Sequence, residues 1–446
     1  MKYDVVIIGG GPAGIISAVT AKKTHPKKKI LVIKSIDKGV IPCGIHYMFK
    51  TLKNCEENAL GVASLTANKI DVLVDEVDCI NKKKKQLSLK SKKPISYDKL
   101  VLATGSEPIV PPLSGVKLKG VFPIIKEMNY LKKLKTAIKK ATNIVIVGGG
   151  FIGVEFADEI STIAGKKVTL VEREKIILSR SFDAEFSTPV QEELEKQKVT
   201  LLTGVSIEKI VGKEAVTSVM LSTKKRLKAD LVLLGIGSKP NAALAKSCEL
   251  QLNIHEGLVV DEYLRTSEPD IFAVGDCAET KDFFTRRVTN VQLASTATSE
   301  ARIAGANLYG IRLMRENKGT IAAYSTVIGD LALGSAGLTE QSARQEGFDV
   351  VIGQGMAPDR HPGHLPNSKT MTVKLIFQKE SGILLGGQVK GGLSAGEVVN
   401  IIAIAIQQNM SISEIETLQI ATHPKLTAAP TVYPLITAAQ QALSKL

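Results

Sequence analysis

The sequence predicts an α/β fold, with two parallel-sheet units followed by a C-terminal α+β segment. Two stretches carry this prediction, because each runs from a short apolar strand through a glycine turn into a helix: Asp4 to Ala18 and Ile144 to Ala157. A G-x-G-x-x-G turn in this setting is typical of a Rossmann-like unit and binds a pyrophosphate at the helix N-terminus. Two such turns therefore indicate two bound dinucleotides. From about Ala322 the pattern changes to strands and then helices.

The first glycine turn is expected to contact one dinucleotide. Its first glycine permits the tight turn, its second lets the backbone approach a pyrophosphate, and its third lets helix and strand pack closely. The residues concerned are Gly9, Gly11, Pro12, Ala13 and Gly14. The next strand, Ile30 to Ile33, is followed by Lys34 instead of the usual acidic residue. We therefore expect the adenosine ribose to be held differently, with help from Asp37 or from backbone.

The second glycine turn repeats the spacing at Gly148, Gly150 and Gly153. Its second strand is followed by Glu172, about twenty residues beyond the glycines, where a carboxylate suits a ribose 2′-OH. The sequence therefore favours NADH over NADPH. Arg173, directly beside this carboxylate, leaves NADPH open.

Length and composition limit the remaining possibilities. A chain of 446 residues holds about three domains. No apolar run reaches the roughly 18 residues of a membrane helix, and the first strand-turn-helix indicates a retained domain start, so we expect a cytoplasmic protein without a membrane partner. The net charge of +14 comes largely from lysine clusters such as Lys82 to Lys85. No nucleic-acid-binding motif accompanies them, so a solvated surface is favoured over a specific nucleic-acid partner.

Five cysteines show no C-x-x-C pair: Cys43, Cys55, Cys79, Cys248 and Cys277. Cys43 differs from the others because its loop opens an expected helix, whose dipole would lower the thiol pKa and favour thiolate. With no second cysteine four or five residues beyond it, its sulfur is expected to cycle through a mixed disulfide, a persulfide or a sulfenic acid. His361 and His364 lack a cysteine or carboxylate to complete a ligand set, so no metal site is expected.

Three further segments complete a pattern: YDKLVLATGS at Tyr97 to Ser106, VLLGIGSKPN at Val232 to Asn241, and TSEPDIFAVGDCAE at Thr266 to Glu279. With the two glycine turns, they resemble the FAD-dependent pyridine nucleotide-disulfide oxidoreductases. The resemblance covers essentially the whole chain. It points to the single-cysteine branch, which contains coenzyme A disulfide reductases, NADH oxidases, NADH peroxidases and persulfide reductases.

The resemblance implies FAD at the first unit and NADH at the second, with NADPH as the alternative nucleotide there. It assigns to Asp276 a hydrogen bond with the flavin ribityl chain. The positions implied to contact FAD, beyond the first glycine turn, are Lys34, Val77, Ala103, Thr104, Gly105, Gly275, Asp276, Leu293, Ala294 and Ser295. Those implied to contact NADH are Gly148, Gly150, Phe151, Ile152, Gly153, Glu155, Glu172 and Gly237. Phe151 and Glu155 also have the helical spacing of simple packing residues.

The resemblance also implies a division into domains. The FAD-binding domain comprises 1–110 and 245–321, the NAD(P)H-binding domain 111–244, and the dimerisation domain 322–446. In the last, we predict strands at Tyr324 to Leu333, Met371 to Gln378 and Ile383 to Val389, and helices at Gly396 to Gln408 and Thr431 to Leu443. The family forms homodimers in which this domain brings residues to the partner's flavin.

Tyr433 is the second candidate catalytic residue, because coenzyme A disulfide reductases place a tyrosine hydroxyl near the substrate sulfur. In their other interface loop those enzymes carry a tyrosine pair, where this chain has His364-Leu365. Coenzyme A therefore stays an open possibility as substrate.

Three enzyme functions and one binding function follow from these features. The leading hypothesis is NADH-dependent reduction of a small disulfide, persulfide or polysulfide through FAD and Cys43. The alternative is an NADH oxidase or peroxidase that reduces oxygen or hydrogen peroxide, although such enzymes carry a histidine where this chain has Pro12. A reductase of an electron-carrier protein and a basic binding scaffold are less favoured.

Overall fold

The computed structural model describes residues 1–91 and 93–446. The first unit of the chain is built around the predicted apolar strand. Val5–Ile8 is buried at all four positions, as expected for a parallel strand covered on both faces. The elements of this segment are β1 (Val5–Ile8), α1 (Pro12–Thr24), β2 (Ile30–Lys34), α2 (Ala63–Ala67), β3 (Asp71–Val74), β4 (Val77–Asn81), β5 (Gln86–Leu89), β6 (Ile95–Ser96), β7 (Lys99–Leu102) and β8 (Ser106–Pro108). The cluster Lys82 to Lys85 forms the turn of the β4–β5 hairpin, as predicted.

The second unit repeats the arrangement around the second glycine turn. Its elements are β9 (Val121–Pro123), α3 (Met128–Lys140), β10 (Asn143–Val147), α4 (Phe151–Ser161), β11 (Lys167–Val171), α5 (Ala184–Lys196), β12 (Thr200–Leu202), β13 (Ile207–Gly212), β14 (Val216–Leu221), β15 (Arg226–Lys228), β16 (Leu231–Leu234), β17 (Ser238–Pro240) and α6 (Ala243–Ser247). The main sheet has the order β12-β11-β10-β16-β9 and is parallel, and β13-β14-β15 form a separate antiparallel sheet. Strand β8 lies where the chain leaves the first unit, and β17 lies where it returns. These two strands pair antiparallel.

The chain then completes the first unit with β18 (Ile271–Ala273), β19 (Thr280–Lys281), β20 (Val288–Thr289) and α7 (Ala294–Asn307). Strand β18 pairs parallel with β7, which gives the sheet order β18-β7-β1-β2-β3. One hydrophobic cluster contains side chains from both segments, including Ile7 and Phe272. The first sheet is thus built from two parts of the chain that the second unit separates; the domain limits given above stay a prediction.

The C-terminal segment is an antiparallel sheet covered by helices. Its elements are β21 (Tyr324–Ile328), β22 (Leu331–Gly337), α8 (Glu340–Gln345), β23 (Val350–Pro358), β24 (Thr370–Gln378), β25 (Leu384–Gly391), α9 (Ala395–Gln407), α10 (Ile412–Glu416) and α11 (Pro434–Leu443), in the sheet order β21-β22-β25-β24-β23. The α/β fold class, with two Rossmann-like units and this α+β segment, is confirmed. Across the two described ranges, no helix is long and apolar enough to cross a membrane.

Two details of the C-terminal prediction differ from the structure. The single strand predicted over Tyr324 to Leu333 is a hairpin, because the chain turns at Gly329, whose φ is +55°. Strand β23 was not predicted, because its glycines weaken the strand pattern. Those glycines serve packing instead, since a Cβ at Gly353 or Gly355 would collide with the backbone of α11.

Candidate functional site

The first glycine turn has the backbone shape that its spacing predicts. Gly9 adopts φ +123°, and a Cβ there would collide with the carbonyl oxygen of Ala103. Gly11 is the N-cap of α1 and faces open space, with no side chain capping the helix. The first N–H groups of α1 therefore point into room that suits a pyrophosphate. These residues fit the pyrophosphate of FAD.

Lys34 is the last residue of β2 and lies against this turn. A Cβ on Gly10 would touch the Lys34 alkyl chain, and Lys34 Nζ donates a 2.7 Å hydrogen bond to the Asp37 carbonyl. The Asp37 carbonyl therefore positions the Lys34 ammonium, and its help in holding the adenosine ribose stays a prediction. Val77 is the half-buried first residue of β4. The contacts of Lys34 and Val77 with adenosine stay predictions.

Asp276 occupies the place expected for the second FAD signature, in a short 3-10 turn at Gly275–Cys277. Its Oδ2 accepts hydrogen bonds from Ser106 Oγ (2.7 Å) and Lys126 Nζ (3.2 Å). The ATG turn ends beside it at Gly105, with φ +71°, and the neighbouring Thr104 donates to the Asn241 carbonyl. Sequence analysis missed Lys126, because it lies on the segment between β9 and α3, outside every motif.

Helix α7 begins at Ala294 with Leu293 as its N-cap, as the resemblance implied. Its buried residue Glu300 accepts a 2.8 Å hydrogen bond from the Gly275 N–H. Burial raises the pKa of this carboxyl to about 8. The buried carboxyl group therefore holds the backbone of the signature turn through the Gly275 N–H.

The second glycine turn places Glu172 beside it, at the end of β11. The Glu172 carboxylate accepts hydrogen bonds from the backbone N–H groups of Gly149 and Glu174. Gly150, the N-cap of α4, again faces open space. The carboxylate is thus fixed at the edge of the space over the helix N-terminus. This is where a ribose would be bound in a Rossmann-like unit.

Phe151 packs against two other aromatic rings, which is one of the two roles that the sequence allowed for it. Its ring stacks on Tyr324 with 4.9 Å between ring centroids and contacts Phe182 at 6.0 Å. Because Tyr324 lies on β21, the start of α4 is joined to the C-terminal sheet. Ile152 beside it is exposed, and Gly237 adopts φ +99° on the loop between β16 and β17. Their contacts with NADH stay predictions.

Cys43 lies exposed in a 3-10 turn, Pro42–Gly44. The prediction that a helix dipole lowers its pKa is wrong, because this turn has only three residues. Desolvation by surrounding protein atoms raises the pKa of the thiol, and the negative charge of Glu155 raises it further. The Lys126 ammonium opposes this shift in part.

Glu155 is the neighbour of Cys43 with the most perturbed carboxyl group. Its Oε1 accepts a 2.9 Å hydrogen bond from Thr326, and His46 Nδ1 lies 3.3 Å from its Oε2. Burial raises the pKa of Glu155 to about 7 and lowers that of His46 to about 4. His46 was not predicted as a site residue, although it lies only three residues after Cys43 in the sequence.

Tyr433 is buried in the hydrophobic cluster of its own C-terminal segment, at the N-cap of α11. Burial raises the pKa of its hydroxyl. His361 Nδ1 lies 3.0 Å from the Thr427 carbonyl and so bonds to backbone. The placement of Tyr433 near a partner's sulfur stays a prediction.

Asp183, Glu185 and Glu340 are the acidic residues that lie close enough together to hold a metal ion in the described part of the chain. The buried Lys374 ammonium already lies among them, with Nζ 3.0, 2.5 and 2.8 Å from their carboxylates. The lysine ammonium already occupies the position between these carboxylates, so the cluster is an internal ion network.

The arrangement of two dinucleotide-binding units around an exposed cysteine defines a flavoprotein oxidoreductase. Residues 3–301 match the pyridine nucleotide-disulphide oxidoreductase family, and residues 323–432 match the dimerisation domain of that family. The chain belongs to this family. It is an NAD(P)H-dependent, FAD-containing oxidoreductase with the family's dimerisation domain.

Relatives of this chain carry two different activities in their names. An NADH oxidase from Methanocaldococcus jannaschii is 33% identical over 99% of both chains. An NAD(P)H coenzyme A polysulfide/persulfide reductase from Pyrococcus horikoshii is 33% identical over 88% of both. Among solved structures, an NAD-dependent persulfide reductase from A. fulgidus is 28% identical, with a TM-score of 0.91 over 100% of this chain and 83% of that one. A water-forming NADH oxidase from Lactobacillus brevis, bound to NADH, is 25% identical, with a TM-score of 0.90 over 99% and 98%.

Proposed function

We propose that this enzyme passes electrons from NADH through FAD to Cys43 and on to a small disulfide, persulfide or polysulfide. The observation that carries the proposal is the setting of Cys43. Its thiol lies within electrostatic range of Asp276, in the FAD signature, and of Glu155, on the helix after the second glycine turn. An exposed sulfur that feels the charge of the FAD signature suits electron transfer from FAD to the sulfur and then to a substrate.

The chain's own residues hold and orient the reactants. The turns at Gly9 to Gly14 and Gly148 to Gly153 would bind the two pyrophosphates, Asp276 the flavin side chain, and Glu172 the NADH ribose. When bound, FAD supplies the chemistry of taking a hydride equivalent from NADH and releasing an electron pair. Cys43 would attack the substrate sulfur and be regenerated as a thiol. In balance, NADH, one proton and a disulfide give NAD⁺ and two thiols.

Pro12 supports a sulfur acceptor over oxygen or peroxide. It is the first residue of α1, at the place where the resemblance puts a histidine in peroxidases and water-forming oxidases. A pyrrolidine ring has no proton to give to a peroxide oxygen. The name of the M. jannaschii relative supports the alternative function, an NADH oxidase.

We also propose a symmetric homodimer in which Tyr433 of each chain serves the partner's Cys43. The dimerisation-domain match supports the dimer. Each site would then be built from two chains, as an isologous interface allows. Coenzyme A is a candidate substrate because one relative's name includes it.

A panel of acceptors tests the proposal. With NADH as donor, kcat/KM is compared for coenzyme A disulfide, coenzyme A persulfide, polysulfide, hydrogen peroxide and oxygen. We expect sulfur acceptors to exceed oxygen and peroxide. Cys43→Ser should abolish their turnover, whereas Cys79→Ser, at another exposed cysteine, should leave it intact. A higher kcat/KM for oxygen or peroxide establishes the oxidase alternative, and full turnover by Cys43→Ser rules out both sulfur mechanisms.

A further inference from the structure

Asn58 is a buried polar residue outside every predicted motif, and it lies against the turn that carries Cys43. Its side chain is buried, whereas that of Cys43 is exposed. It is the last residue of the 3-10 turn Cys55–Asn58. From there the chain runs back antiparallel to the residues before the cysteine turn, with Ala59 paired to Val40. The backbone pairing therefore places the Asn58 side chain beside the cysteine turn.

On the N-terminal side of Cys43, Asn58 holds Ile41 through two hydrogen bonds. The Asn58 carbonyl accepts from the Ile41 N–H at 3.0 Å, and the Asn58 Nδ2 donates to the Ile41 carbonyl at 3.0 Å. The same Ile41 carbonyl accepts the 3.1 Å bond from the Gly44 N–H that closes the cysteine turn. Because a carbonyl oxygen only accepts, the side-chain amide must present its NH2 group to Ile41. The orientation of the Asn58 amide is thereby fixed.

On the C-terminal side of Cys43, the Asn58 Oδ1 atom occupies the space that a side chain on Gly44 would need. A Cβ at Gly44 would lie 2.2 Å from Oδ1 and 3.1 Å from Cγ of Asn58. The φ of Gly44 is outside the left-handed region that favours glycine. The backbone conformation therefore does not require glycine here, and the close approach of Asn58 does.

The cysteine turn has little hydrogen bonding of its own. Pro42–Gly44 has only three residues, and a 3-10 turn has poorer hydrogen-bond geometry than an α-helix. Its first residue is a proline, which has no N–H to donate. The Cys43 side chain is exposed, so the packing of the sulfur does little to fix the turn. Contacts from Asn58 to the residues on both sides of Cys43 therefore support the position of the sulfur.

We propose that Asn58 is a positioning residue for Cys43, which clamps the cysteine turn at Ile41 and Gly44 and so fixes the place of the sulfur. The inference rests on the proposed function, because a fixed sulfur matters where the sulfur must meet both FAD and a substrate. A reacting atom misplaced by about 1 Å can lower a rate by about a hundredfold. Asn58 acts through the backbone of the turn and is not itself a catalytic residue.

The first test compares Asn58→Ala with the parent enzyme, loaded with FAD, in a Cys79→Ser background that removes the other exposed cysteine. After two-electron reduction, a Cys43 thiolate against oxidised flavin should give a long-wavelength charge-transfer band, and Asn58→Ala should lose most of it while FAD stays bound. Alkylation of Cys43 by iodoacetamide should become faster, because the released turn exposes the sulfur. With polysulfide as acceptor, kcat should fall about tenfold at an unchanged KM for NADH. Asn54→Ala is the matched control, because the Asn54 side chain caps the same 3-10 turn through Glu57 and should leave all three readouts unchanged.

A second test uses the contact between Asn58 and Gly44. Gly44→Ala should displace the cysteine turn and cause the same three changes, whereas Gly61→Ala, at a glycine with open space around it, should cause none. The double variant Gly44→Ala/Asn58→Ala has no collision, so the two effects should not add. FAD absorbance and thermal melting verify that each variant is folded. Gly44→Ala tests the clamp independently if Asn58→Ala does not fold.

An Asn58→Ala enzyme with the parent charge-transfer band and alkylation rate overturns the proposal. Additive effects of Asn58→Ala and Gly44→Ala overturn it as well. Alkylation and absorbance are measured without an acceptor, so they do not depend on which substrate is reduced. If Cys43→Ser keeps full turnover, the proposed function fails, while a difference in alkylation between Asn58→Ala and Asn54→Ala still establishes the clamp.

Discussion

Lys374 Nζ, on β24 of the C-terminal sheet, lies 3.0 Å from the Asp183 carboxylate at the N-cap of α5. Gln388 on the neighbouring strand donates a 2.5 Å hydrogen bond to the same carboxylate. Both Lys374 and Asp183 are buried. Burial opposes the lysine charge, but hydrogen bonds to three carboxylates outweigh it and raise the pKa of Lys374. This ion network fixes the second unit against the C-terminal sheet.

Lys374→Met should therefore destabilise the protein strongly. The substitution leaves Asp183 buried without its cation, a change that costs about 3–5 kcal/mol. The free energy of unfolding is measured by urea denaturation. Lys369→Met is the matched control, because Lys369 faces a 90% exposed Asp330 at 3.8 Å and should contribute about 0–1 kcal/mol. Equal effects of the two substitutions would contradict the assigned role of Lys374.

The pair His46 and Glu155 should shape the pH dependence of stability. Glu155 has a pKa of about 7 in the folded chain against an ordinary 4.5, so its contribution is present below pH 4.5 and is lost as pH rises through 7. His46 has a pKa of about 4 in the folded chain against an ordinary 6.5. Its contribution to the free energy of unfolding is therefore present above pH 6.5 and is lost as pH falls through 4. The two dependences have opposite signs between pH 4.5 and 6.5 and largely offset one another.

Glu155→Gln removes the first of these dependences. The free energy of unfolding of this variant, relative to wild type, should rise with pH from 4.5 to 7, by at most about 1.4 kcal/mol per pH unit. Denaturation midpoints at pH 5 and pH 7 measure it. Glu174→Gln, at an exposed carboxyl, should show no such trend. A relative stability of Glu155→Gln that is flat or falls with pH would count against the buried, neutral carboxyl.

Glu172 should determine the preference for NADH over NADPH. Its carboxylate is fixed by two backbone N–H groups beside the second glycine turn. It should bond a 2′-OH and repel a 2′-phosphate. Glu172→Gln should reduce the NADH/NADPH ratio of kcat/KM about tenfold, as expected for one charge-assisted hydrogen bond. Glu174→Gln serves as control, because it keeps the backbone N–H that binds Glu172. An unchanged ratio in Glu172→Gln would assign the preference elsewhere.

Mixed dimers should reveal sites built from two chains. Cys43→Ser and Tyr433→Phe homodimers are each expected to be impaired. A heterodimer of the two has one site with both side chains intact. Random mixing makes half of the dimers heterodimers, so about a quarter of wild-type activity should return. Activity is measured after denaturant-driven exchange, with each variant exchanged against itself as control. A monomeric active species in sedimentation, or no recovery on mixing, would refute the shared site.

Local sequence determined the two Rossmann-like units almost completely. The strand at Val5 to Ile8 and the turn from Gly9 to Gly14 need only apolar residues and glycines at fixed spacing. The same holds for Glu172, whose position at the end of a strand places it beside its glycine turn. Such features depend on neighbours within one βαβ unit, so the chain pattern alone specifies them.

Only the tertiary structure decided the electrostatics around Cys43. The sequence suggested a helix dipole, but the chain forms a three-residue turn there and brings Glu155, from a different unit, within electrostatic range of the thiol. Lys126 and Thr326 likewise lie outside every motif and reach the site through folding. Desolvation and charge depend on which distant side chains surround a group, and the spacing of residues along the chain does not encode that. The nucleotide-binding turns could therefore be predicted from the sequence. The ionisation of the Cys43 thiol could not, because it depends on the packing of three units around the sulfur.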